Sequence, residues 1–149
     1  GEVPAAWRPQ PPATAMRAAQ FDAGGAHGAA TAAVFFFGPG QGGGAAENIA
    51  RWRSQFSAPG GGAVEPVVTT LQVAGMPVTR VTLEGVYSRG VGMGPVGQAR
   101  TDQALLAAVV EGPGGNLYFQ LWGDAAAVSA ATPDFDRFVR SLVPATAGR

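Results

Sequence analysis

Phe35-Phe36-Phe37-Gly38-Pro39-Gly40-Gln41-Gly42-Gly43-Gly44 runs directly into Ala45-Ala46-Glu47-Asn48-Ile49-Ala50-Arg51-Trp52-Arg53-Ser54-Gln55-Phe56. The first half ends an apolar run that starts at Ala30, and the run is apolar on both parities. A strand of that kind must be covered on both faces. The glycines make a turn, and the second half is an amphipathic helix. On a helical wheel Ala45, Ile49, Trp52 and Phe56 fall in one narrow sector that faces the sheet. Asn48, Arg51 and Gln55 form a second stripe, about a quarter-turn round. Glu47 and Ser54 point to water.

Working outward, Leu105-Leu106-Ala107-Ala108-Val109-Val110 repeats the two-sided apolar pattern. Two such strands predict a central sheet with helical layers above and below. Met16–Phe21 reads as a first strand and Asp22–Gly28 as a glycine-rich turn. Val67–Val73 and Val78–Val86 read as a hairpin around Ala74-Gly75-Met76-Pro77. In its second strand Val81 and Leu83 share a dry face, while Arg80, Thr82 and Glu84 share a wetter one. Ser88–Gln98, with four glycines and a proline, reads as a mobile loop. Gly112-Pro113-Gly114-Gly115 is a turn before a strand over Leu117–Trp122. In that strand Tyr118 and Trp122 share a face, best suited to core packing. Thr132 suits an N-cap and Pro133 a first helical position. Phe135, Phe138, Val139 and Leu142 make the apolar stripe of that last helix. Asp134 and Asp136 then complement the start of its dipole, and Arg137 and Arg140 its end, before Pro144 stops it.

The order is strands, helix, strands, helix, with short turns that favour antiparallel pairing. This predicts one α+β domain over 16–144, preceded by a proline-rich arm over 1–15 that Trp7 anchors and followed by a tail over 145–149. The length of 149 residues suits a single domain with a substantial core.

Composition narrows function mainly by exclusion. There is no Cys, hence no disulfide, thiolate metal site or Cys nucleophile. Acidic and basic residues balance at ten each, without blocks, so the basic footprint of a nucleic-acid binder is missing. All ten basic residues are Arg. No apolar run approaches the roughly 20 residues of a membrane-spanning helix.

Gly38, Gly40 and Gly43 meet the spacing G-x-G-x-x-G after a strand and before a helix. With 23 glycines in the chain the match is weakly specific, and Pro39 removes a donor such a loop would use. The βαβ alternation of a dinucleotide fold does not follow, and without Lys there is no P-loop. No cofactor is expected. An anion held at the helix start by Gly40, Gln41, Gly42 and Gly43 with the Asn48, Arg51 and Gln55 stripe is one reading of this region. The other is a structural clamp, in which the stripe ties the helix to loop carbonyls, as most side-chain hydrogen bonds tie to backbone or water.

Nucleophilic catalysis needs a base beside the nucleophile. The one His, His27, sits in a glycine-rich turn, and no G-x-S-x-G surrounds a serine. Carboxylates are scattered singly, which does not suit metal. Glu84 and Glu111 become a carboxylate pair only if folding joins them. No catalytic residues and no metal ligands are assigned.

Several of these pieces together resemble a known group: Trp7, Met16-Arg17 with Phe21, Asn48-x-x-Arg51-Trp52-x-x-Gln55, Val110-Glu111-Gly112, Tyr118-Phe119-Gln120-Leu121-Trp122-Gly123, and Phe135-x-x-Phe138-x-x-Ser141-Leu142. The chain is similar over nearly its whole length to uncharacterised exported bacterial proteins, many described as lipoproteins, with a PsbP/Mog1-like fold. Where family members often carry Asp in the glycine turn and Lys in the late strand, this chain has Gln41 and Gln120. The resemblance implies an α/β/α sandwich around an antiparallel sheet of about six strands. It implies export to the periplasm or envelope, any signal segment or lipid anchor belonging to a precursor. Named proteins of this fold are an extrinsic photosystem subunit and a factor that binds a small GTPase. The expected function is therefore a non-enzymatic accessory module that binds an envelope protein. A small-ligand or anion binder is the alternative.

Overall fold

Alternate residues of one strand enter two different apolar clusters, and the rest of the molecule is arranged around that strand. In the computed structural model, which describes residues 3–12, 17–38, 40, 42–87 and 100–142, this strand is β7 (Arg100–Gly112). Ala104, Leu106, Ala108 and Val110 join one cluster; Leu105, Ala107 and Val109 join the other. None is more than 4% exposed. Successive strand side chains point to opposite faces, so β7 is dry on both. β3 (Ala30–Phe36) divides in the same way, with Ala30 and Ala32 on one side and Ala33 and Phe35 on the other. The two-sided reading holds for Leu105–Val110 and for Ala30–Phe35, while Phe36 and Phe37 at the end of the second segment are exposed.

The remaining elements are β1 (Arg8–Gln10), β2 (Arg17–Asp22), α1 (Ala45–Arg53), β4 (Phe56–Ser57), β5 (Val67–Val73), β6 (Met76–Tyr87), β8 (Gly115–Asp124) and α2 (Ala125–Arg140). The sheet order is β1-β2-β3-β8-β7-β6-β4, with β5 also on β6. Every pairing is antiparallel. The α+β class and the antiparallel sheet stand, with eight strands in place of about six. One extra strand comes from the proline-rich arm and the other from Phe56, expected at the end of the helix. Trp7 is buried against Phe21 and Phe138, ring centroids 5.8 and 5.6 Å away, and this seats Arg8–Gln10 as an edge strand on β2. The arm is thus anchored as expected and is also part of the sheet. Phe56–Ser57 pairs with the far end of β6.

The β5–β6 hairpin turns on Ala74 and Gly75, both at positive φ, the signature of a two-residue turn that matches strand twist. Along β6, Val81 and Leu83 are buried while Arg80, Thr82 and Glu84 are partly or fully exposed, as the alternation predicts. The segment 88–99 lies outside the described residues, and with it the loop expected there.

The last helix differs from its prediction. It starts at Ala125, so Thr132 and Pro133 are interior. Ala127, Val128 and Ala131 are buried and extend the stripe of Phe135, Phe138 and Val139 backward by two turns. A continuous apolar stripe outweighs one proline, whose missing N–H leaves one carbonyl of the preceding turn unpaired within the helix. Thr132 donates its hydroxyl hydrogen to the Val128 carbonyl instead of capping. Asp134 and Asp136 are therefore not in the first turn. Asp136 makes a two-point ion pair with Arg80 of β6 at 2.9 and 3.1 Å, and Asp134 pairs with Arg137. Pro144 and the tail lie outside the described residues.

The buried residues of α2 belong to the cluster of Ala104, Leu106, Ala108 and Val110. Trp52 of α1, with partly buried Ala45 and Ile49, belongs to that of Leu105, Ala107 and Val109, as do Tyr118 and Trp122. The predicted sheet-facing stripe of α1 holds for Ala45, Ile49 and Trp52; Phe56 joins the same cluster from β4, because the helix ends at Arg53.

Candidate functional site

The glycine turn is held from three directions. The side-chain amide of Asn48 donates to the carbonyls of Gly42 and Gly44 at 3.0 and 2.9 Å. The Tyr118 hydroxyl, reaching from β8, donates to the carbonyl of Gly43 at 2.5 Å. The Glu47 carboxylate accepts the Gly44 N–H at 2.8 Å. Three successive carbonyls and one N–H are therefore consumed by the protein itself. Asn48 is 1% exposed, and its remaining oxygen accepts a hydrogen bond from Arg51.

Gly42 has φ of +88°, and a Cβ there would sit 2.6 Å from both the Phe37 ring and the Tyr118 oxygen. Only glycine lets the chain pass so close to those rings. Gly40 also has positive φ, yet a Cβ there meets nothing within 4 Å. Gln41 lies outside the described residues, as does Pro39.

The candidate stripe divides. Asn48 and Arg51 meet each other and, through Asn48, the turn. Arg51 is exposed, with its guanidinium 6.0 Å from the Trp52 ring centroid. Gln55 is buried beyond the last turn of α1, and no hydrogen bond joins its side chain to Asn48 or Arg51 among the described residues. Of the three, Asn48 makes the bonds to loop carbonyls that a clamp requires, and Arg51 bonds Asn48 instead. An anion approaching the start of α1 would have to displace a carboxylate of its own sign from Gly44.

The carboxylates considered for catalysis lie far apart. Val78 faces Val110 and Glu84 faces Ala104 across the β6–β7 ladder, so Glu111 and Glu84 sit at opposite ends, roughly 20 Å apart at strand rise. His27 is exposed in the β2–β3 turn.

Four features were not singled out by sequence. Phe36 is 43% and Phe37 38% exposed where β3 enters the glycine turn, although the strand was read as covered to Phe37. Their run emerges because α2 and α1 cover the middle of the sheet, not this end of β3. Phe37 is fixed in place between Phe35 and Tyr118, with ring centroids 6.2 and 5.6 Å away. Arg17 is buried over the rings of Phe35 and Trp122, at 5.6 and 5.1 Å, and donates to Gln20 at 2.7 Å. Its burial lowers the guanidinium pKa. Asp124 accepts from the Gln103 amide and from the Ala29 N–H, both at 3.0 Å. Those bonds, the Gln103 one foremost, hold its carboxyl below the usual range. An open groove of about 490 Å³ runs between β6 and α2, lined by Glu65, Val67, Thr82, Glu84, Val128 and Thr132 among others. Register and helix placement create all four, and only the unbroken Phe35–Phe37 run beside glycines was a visible signal.

No family model matches the chain, and no curated protein matches it. Among solved structures, the chain is similar to a Pseudomonas aeruginosa protein of unknown function described as a candidate regulator. The likeness covers 85% of this chain and 82% of that one, at 16% identity and a TM-score of 0.56. At that identity the likeness concerns fold: the two chains share a common α+β architecture over most of their lengths.

Proposed function

We propose that this protein is a non-enzymatic accessory module of the bacterial envelope that binds another protein through the Phe36–Phe37 end of the sheet. The observation that carries the reading is two exposed phenylalanines at one sheet rim, Phe36 on the face of α2 and Phe37 on that of Phe35 and Tyr118, beside a turn whose hydrogen bonds are already spent. Large exposed aromatics on a rigid frame are what interface anchors consist of, since little ordering entropy opposes their burial. The Asn48–Arg51 pair then serves as the frame, not as the contact. The PsbP/Mog1-like resemblance, with its α/β/α layering and export, belongs to the same proposal. Helices drawing on opposite faces of β7 support the layering. The small-ligand alternative has less support, because Glu47 already occupies the start of α1.

The test is site-specific photo-crosslinking in the native envelope, with the photoreactive residue at Phe36 and, as control, at exposed Arg53. A discrete adduct from position 36 that disappears in Phe37→Ser, while the variant melts as a folded protein, is the expected result. Equal or absent adducts from both positions would overturn the reading.

A further inference from the structure

The strands at opposite edges of the sheet, β1 on one side and β5, beside the two-residue β4, on the other, are built differently. β1 is three residues long and contains Arg8 and Pro9, with Arg8 paired to Asp22 at 2.9 Å. Short length, charge and proline are the devices that keep a sheet edge from pairing with another chain. β5, Val67-Val-Thr-Thr-Leu-Gln-Val73, has none of them. It is seven residues long, free of charge and proline, and in unbroken register with β6. Its other edge pairs with no strand among the described residues. Val67 is 62% exposed and Val68 45%.

We infer that β5 is a homodimerisation edge, pairing antiparallel with β5 of a second copy about a two-fold axis at Thr70. The register supports that occupant. The two-residue turn makes Val73–Met76 a hydrogen-bonded pair, so Val67, Thr69, Leu71 and Val73 spend their backbone groups on β6. Val68, Thr70 and Gln72 direct theirs outward. Centring the axis on Thr70 places Thr70 opposite itself and Val68 opposite Gln72 of the second copy. These three pairs would exchange about six backbone hydrogen bonds, two per pair. Between them Val67 faces Val73 and Thr69 faces Leu71, so apolar groups meet and no like charges oppose. A single sequence thus supplies both halves of a closed, isologous contact. This inference is independent of the Phe36–Phe37 reading, which concerns the opposite half of the sheet.

Sedimentation equilibrium of the whole chain should show a reversible dimer. Thr70→Pro removes an outward-facing N–H, which edge strands tolerate, and should weaken dimerisation at least tenfold while the circular dichroism spectrum is retained. Thr70→Lys, which keeps the backbone donor but sets two cations face to face, should do the same. The native chain has no Cys, so Thr70→Cys should form an intermolecular disulfide in mild oxidant and Thr69→Cys should not. A monomer at hundreds of micromolar, or a dimer unchanged in both Thr70→Pro and Thr70→Lys, would overturn the inference.

Discussion

Asn48 shows how one side chain decides between a site and a scaffold. Its amide meets two carbonyls and its oxygen meets Arg51, all behind a 1% exposed surface. Truncation removes two hydrogen bonds to the glycine turn and empties a buried side-chain position. Asn48→Ala should therefore cost about 1–3 kcal/mol of stability by chemical denaturation. Arg51→Ala should cost under about 1 kcal/mol, because water reaches the exposed position and can replace its donor. Equal and large losses for both would show that Arg51 carries as much of the structural frame as Asn48. The helix wheel had placed Asn48, Arg51 and Gln55 on one stripe. It could not tell inward from outward use, because the partners are carbonyls of a turn whose path depends on positive φ at Gly42 and Gly43.

At the scale of elements, α2 teaches the most. Thr132-Pro133 is a good helix start read locally, but the buried surface on either side runs through it. Packing of Ala127, Val128 and Ala131 against the sheet outweighs the local cost of an interior proline. Pro133→Ala should accordingly raise stability, by about 1–3 kcal/mol in a denaturant titration. A loss would show that the carbonyl freed by the proline is used. The hairpin over Val67–Val73 and Met76–Tyr87 was legible because its turn residues and alternation are both local. The strand at Arg8–Gln10 was not, because its pairing depends on Trp7 reaching Phe21 and Phe138, the latter 131 positions away.

For the whole molecule, acid stability follows from two carboxylates that close distant parts of the chain. Asp22 is held below its ordinary pKa by the Gly24 N–H and then by Arg8. Asp124 is held low by the Gln103 amide and then by the Ala29 N–H, which joins the start of α2 to the turn before β3. A carboxyl with a depressed folded pKa stabilises the fold above its unfolded value, about 3.9, and that contribution is lost as pH falls through the folded value. Thermal melts should therefore hold steady from neutral pH to about 5 and decline below about 4. Asp124→Asn should melt lower than the native chain at neutral pH, with the gap closing toward pH 2–3. A gap that stays constant with pH would remove these carboxylates from the account.

What the sequence alone determined is the pattern of wet and dry. Period-two and helical spacing are written residue by residue, so the central strands, the hairpin, the inward stripe of α1 and the stripe at Phe135–Val139 follow from it. Which segments finish the sheet, where β3 emerges into solvent and which carbonyls Asn48 satisfies were decided by tertiary structure. Those outcomes depend on contacts between residues far apart in the chain, and no local periodicity encodes such distances.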